Sequence, residues 1–215
     1  MNISSFSIEK ALQTLAYLQK KTKENNYLKL LKYLYFAERY SIRYYASPIL
    51  CDHFCAMRNG PVASSTYNII KKDDYFLSKL SSEERALVES SIEVDRPSEK
   101  VYISDISQQD LLSESDIEAL DFAISTFGQF GRDAIIHLAH QFPEWKKFEK
   151  ELAGTDYKKK RDMCYEDFFK NPTVEEAKRL QSLFKTDPFE MDPTELSLAE
   201  SVFTESSNST CNCRQ

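Results

Sequence analysis

A chain of 215 residues, 41% hydrophobic and 29% charged, is long enough for one domain with a real core and has an ordinary soluble balance. A formal net charge of −6 disfavours nucleic acid as the main partner, because phosphate binding draws on clustered Lys and Arg; the one dense basic run, Lys158 to Arg161, reads as a solvated loop. With 4 glycines against 12 Tyr and 14 Phe, the composition argues against a glycine-lined nucleotide pocket and for helices, and no apolar run approaches the roughly 18 residues that cross a bilayer.

The opening MNISSFSIEK lacks the charged-then-apolar pattern of an export signal, so a cytoplasmic location is expected, with the five cysteines as free thiols. Residues 8 to 20 set Ile8, Ala11, Leu12, Leu15 and Leu18 near helical spacing behind Ser7, a candidate N-cap. NNYLKLLKYLYFAERYSIRYY, residues 25 to 45, predicts a second long helix. Leu28, Leu31, Leu34 and Tyr35 form its inner stripe, and Pro48 lies past its end.

Residues 53 to 58 alternate as a strand and run into the turn Asn59-Gly60-Pro61; a short third helix follows, with Ser64 as its N-cap. A fourth helix is expected over 81 to 91, where Ser81 and Glu84 have capping-box spacing. Residues 99 to 104 alternate again, and their pairing with 53–58 is the expected sheet. Ser113, Asp116 and a Leu112–Ile117 staple open a helix that Gly128 stops. Another helix closes at Pro143, which opens the next one. Thr173 and Glu176 form a further capping box over 173 to 184, and from Thr186 onward prolines, acids and serines predict a partly disordered tail. The expected fold is mainly α, a compact multi-helix domain with a small antiparallel hairpin or sheet. It is divided into a helical domain over 1–170 and a C-terminal helix with acidic tail over 171–215.

Zinc sites often begin with two cysteines two to four residues apart. On a strand, Cys51, His53 and Cys55 would share one face at about 6–7 Å spacing. Their partners would have to be His137 and His140, or Cys211 and Cys213, and neither pair has the spacing of a recognised knuckle. No metal and no cofactor is therefore expected. His137 and His140 lie three apart, not the four of a metalloprotease helix, and there is no G-x-S-x-G elbow or phosphate loop. An enzyme would need a composite site around Asp52, His53, His137 and His140.

What remains is surface. Tyr33, Tyr35, Phe36, Tyr40, Tyr44 and Tyr45 crowd the second helix among Arg39 and Arg43, more than one helix face can bury. Tyr and Arg are enriched where proteins grip other proteins. The alternative is a thick aromatic core with Arg stems packed over it.

Residues 28 to 71 resemble the Panacea, or SocA-like antitoxin, domain of bacterial and phage toxin–antitoxin pairs. The resemblance rests on LKLLKYLYFAERY, then on Pro48, Ile49, Asp52, Phe54, Ala56, Met57, Gly60, Pro61, Val62, Ser64 and Tyr67 in order. Downstream, LSESDIEALDFAISTFG and HLAHQFPEWKKF, with His140 and Trp145, extend it across residues 10 to 150 or so. Ala46 and Cys51 depart from the pattern, standing where members often carry glycine. The resemblance implies a non-enzymatic protein that neutralises a neighbour-encoded cognate toxin by direct binding. One branch of the family implies instead an adaptor that hands its partner to a AAA+ protease; the acidic-apolar tail after Thr186 is a candidate docking element by its composition. By residue type, the candidate partner-binding positions are Arg39, Arg43, Tyr44 and Tyr45 on the second helix and Arg58, Asn59, Gly60 and Pro61 in the turn.

Overall fold

A computed structural model describes residues 6–104, 111–153, 159–184 and 187–210. Its axis is the second predicted helix, α2 (Tyr27–Tyr45), which is buried on nearly every side: Leu30, Leu31, Leu34, Tyr35, Phe36 and Ala37 are all fully enclosed. A helix buried on nearly every side has to sit inside the protein, and the neighbours of α2 supply the walls. α1 (Ile8–Thr22) starts where Ser7 accepts the Lys10 amide and buries Ala11, Leu12, Leu15 and Leu18. α6 (Glu114–Phe127) opens with the Ser113–Asp116 capping box and lies along α2, with Phe127 stacked on Phe36 at 3.8 Å. Both caps follow the local signals in the sequence.

The chain leaves α2 through an extended segment into β1 (Phe54–Met57), turns at Arg58-Asn59, and returns as β2 (Gly60–Ala63) directly into α3 (Ser64–Lys71). A single turn, α4 (Asp74–Leu77), leads to α5 (Ser82–Ser91), capped by Ser81 and Glu84, which runs without a loop into β3 (Ile92–Asp95) and its hairpin partner β4 (Lys100–Ile103). Beyond α6 come α7 (Arg132–Ala139), two short turns α8 (Pro143–Lys146) and α9 (Glu149–Leu152), strand β5 (Lys160–Asp162), a 3-10 turn over Tyr165–Phe169, and α10 (Val174–Gln181).

Among the described residues the architecture is mainly α with two small antiparallel sheets, but the expected pairing of 53–58 with 99–104 is wrong. β1 lies between β2 and β5, while β4 pairs with β3 and meets the residues just before α2 through the Asn26–Lys100 bridge and the Val101 amide on the Asn25 carbonyl. The strand at 92–95 was hidden because α5 leads straight into it. β5 was hidden because its residues are charged, the composition of an exposed edge strand. Lys158 of the basic run lies outside the described residues. The helix expected from Pro143 is broken into α8 and α9.

Where a tail was expected, residues 193 to 210 form α11 (Pro193–Thr210). Leu196 and Phe203 turn inward, and Phe203 packs on Tyr165 and Phe169. Phe189 is fully buried against Phe36, Phe127 and Phe142. Residues after 170 therefore complete the same core. Residues 211–215, with Cys211 and Cys213, lie outside the described residues.

Ala46 and Cys51 both adopt left-handed backbone, with φ of 50° and 51°. That is the conformation in which a Cβ is penalised by roughly 1–2 kcal/mol. Ala46→Gly is expected to stabilise the protein by about 0.5–1 kcal/mol, the relief of that penalty less the extra freedom glycine gains in the unfolded chain. Urea unfolding measures it, and a lower midpoint in the variant would contradict the expectation.

Candidate partner-binding site

Four charged side chains of α2 are enclosed, and each holds a part of the chain outside that helix by hydrogen bonds. Arg39 forms a fully buried ion pair with Glu144 at 2.7 Å; Tyr35 donates to the same carboxylate at 2.5 Å, and a second guanidinium nitrogen donates to the Lys170 carbonyl. The guanidinium lies over the rings of Phe142 and Phe189. Arg43, one turn on, donates to the carbonyls of Phe168, Phe169 and Phe189 and to Asn171 Oδ1. Burial and the neighbouring Arg39 bring its pKa down to about 10. Glu38 accepts from the Ile49 and Leu50 amides, both at 2.9 Å; burial pushes its carboxyl up to about 7 despite those bonds.

Lys32 builds the corner at the turn. Its Nζ is buried and donates to the Pro61 carbonyl at 2.6 Å. Gly60 sits at φ 96°, a backbone conformation that favours glycine, and a Cβ there would press on Lys32 Cε and Nζ at 3.0 Å. From the other side, Trp145 Nε1 donates to the Met57 carbonyl at 2.8 Å, and His140 stacks flat on the Trp145 ring at 3.6 Å. Burial and the nearby Lys32 hold His140 down to about 3, so it is neutral. Asp52 accepts from the Ser65 and Thr66 amides and the Thr66 hydroxyl, which caps α3 from a distance. Ser64 is thus not the N-cap; that position is Ala63, which has no capping side chain.

These contacts sort the predicted positions. Arg39 and Arg43 are 0% exposed and are corrected from surface to core, because partners 105 and more residues away engage both terminal nitrogens of each guanidinium. Gly60 and Pro61 are buried supports of the turn; Arg58 and Asn59 at its tip are exposed. Tyr44 and Tyr45 are 38% and 39% exposed. Tyr40 stacks between Tyr44 (4.4 Å) and Phe122 (4.3 Å) and donates to Glu118. Burial and the Glu118 carboxylate push Tyr45 up to about 12. Glu118 thereby joins the patch, a residue that sequence reasoning missed because nothing in its own helix marks it. The composite enzyme site is not assembled: Asp52 is committed to α3, and His140 lies under Trp145, while His137 is exposed on α7.

A model of one protein family, antitoxin SocA-like, Panacea domain, matches residues 30–146. The chain belongs to this family. No curated protein and no solved structure matches it. In this Panacea domain the motif residues have physical jobs: Gly60 makes room for Lys32, Trp145 ties down the Met57 carbonyl, and Asp52 starts α3. No helix among the described residues is long and apolar enough to cross a membrane.

Burial pushes Lys32 down to about 7. Between that value and the lysine value of about 10.4 for an unfolded chain, the unfolded state binds one proton more than the fold. Stability therefore rises with pH through this window, by at most about 1.4 kcal/mol per pH unit. Urea unfolding across this range should show the rise in the wild type and its loss in Lys32→Met; parallel profiles would contradict it.

Proposed function

We propose that this Panacea-domain protein is an antitoxin that neutralises a neighbour-encoded toxin by binding it, with no chemistry of its own. The observation that carries the binding site is Tyr44 and Tyr45, half-exposed at the end of a helix that is otherwise enclosed. Each offers a large rigid ring at small entropic cost, the combination that dominates protein–protein hot spots. Glu118 beside them, with Asp187 and Glu195 close enough to act on the Tyr44 hydroxyl, makes the rim acidic and favours a basic partner surface. The turn tip at Arg58 and Asn59 is a second contact. It lies by Lys32 at the other half of α2, about 20 Å away at the rise of a helix.

A second reading, delivery of a bound partner to a AAA+ protease, is favoured by the outward side of α11. Leu198 is 66% and Val202 45% exposed there, on a segment from 187 to 210 that carries acids and no Lys or Arg. The level of the toxin separates the two: masking preserves it and delivery removes it.

The decisive experiment expresses the adjacent reading frame from an inducible promoter, with and without this protein. Growth arrest alone and rescue together supports the antitoxin reading; a harmless neighbour, or one lethal regardless, refutes it. In the purified complex, Tyr45→Ala is expected to weaken binding at least tenfold, about 1.4 kcal/mol. The free protein should lose no more than about 1 kcal/mol of stability. Arg43→Ala should do the reverse and lower the melting temperature sharply. Unchanged affinity in Tyr45→Ala would move the contact away from this end of α2.

A further inference from the structure

Cys55 and Asp162 stand directly opposite each other where β1 pairs with β5. Residues opposed in an antiparallel pair project to the same face, and His53, two positions before Cys55, joins them there. The Cys55 sulfur lies 3.7 Å from His53 Nδ1 and 3.5 Å from Asp162 Oδ1, and that oxygen is 3.4 Å from His53 Nε2. We propose that His53, Cys55 and Asp162 form an open site for one zinc-like divalent cation. This goes beyond the antitoxin reading and does not depend on it.

The geometry fits the chemistry. An ion about 2.3 Å from sulfur and about 2.0–2.1 Å from nitrogen or oxygen, at tetrahedral angles, holds its ligand atoms about 3.3–3.6 Å apart. The contact of 3.4 Å between imidazole and carboxylate is loose for a hydrogen bond but matches an edge of that tetrahedron. The ring turns one nitrogen to the thiol and the other to the carboxylate. The ion takes one of them, and the side chain, 56% exposed, is free to rotate to present it. Sulfur, nitrogen and one oxygen is a borderline set that suits zinc and rejects magnesium or calcium. Asp162 is 76% exposed, so the fourth position faces water.

The knuckle considered from sequence needed a second pair of His or Cys. The structure supplies the third donor instead from a carboxylate on a strand 107 residues away. An ion here would fasten β5 to β1, just before the segment whose carbonyls Arg39 and Arg43 hold. Because it binds only the folded arrangement, it would raise stability with its concentration.

The test uses the full chain, stripped with chelator and titrated with Co²⁺, whose thiolate charge-transfer band reports a sulfur ligand. One equivalent of Co²⁺ should produce the band, Zn²⁺ should displace it, and Zn²⁺ but not Mg²⁺ should raise the melting temperature. Cys55→Ser should abolish the band. Because Cys55 is buried and its variant can misfold, the exposed pair His53→Gln and Asp162→Asn are read beside it. Each should weaken binding at least about tenfold, the loss that even outer-shell changes cause. No saturable binding, a band that survives in Cys55→Ser, or unchanged affinity in both exposed variants overturns the site.

Discussion

The constraint on which this structure depends is that charge buried along α2 must be satisfied, and its partners all come from outside that helix. An isolated ion in the interior costs far more than a folded domain can spare, so each buried charge dictates where its partners lie. Lys32 fixes the turn through Pro61, Glu38 the chain through Ile49 and Leu50, Arg39 the start of α8 through Glu144, and Arg43 the segments at 168–171 and 189. Such a network adds little net stability over an apolar core, but removing one member costs about 3–5 kcal/mol because the other is left unpaired. It acts to select one arrangement of the loops around an otherwise apolar axis.

What was legible in the sequence is what is decided locally. Ser7, Ser81 with Glu84, Ser113 with Asp116, and Thr173 with Glu176 cap the helices they were expected to cap, because cap and helix are neighbours in the chain. What failed depends on distance. The cap of α3 comes from Asp52, 13 residues from Ser65; the partner of β1 includes a charged strand after residue 159; and Arg39 meets Glu144 across 105 residues. Residue type suggested a surface for both arginines, and no local pattern shows that carbonyl groups far along the chain enclose them. The aromatic crowding on α2 resolves into both readings at once: Tyr33, Tyr35 and Phe36 are core, while Tyr44 and Tyr45 emerge at its end.

This separation of labour bears on function. The motif residues of the Panacea domain mostly build the corner at Gly60 and the floor beneath it, so they maintain the scaffold; under the antitoxin function proposed above, partner choice falls to side chains that the scaffold leaves exposed. At the end of α2 those are two tyrosines with an acidic rim, and at the turn tip Arg58 and Asn59. Similar scaffolds with different exposed residues would then serve different toxins.

The central claim, that buried charges on α2 hold the irregular segments, is tested most directly by amide hydrogen exchange in Arg43→Met, which keeps the apolar stem and removes the donors. Faster exchange confined to residues 168–171 and 187–190, with α1 and α6 unchanged, is the expected result. Exchange that is unaltered in those segments, or that rises uniformly across the chain, would contradict it.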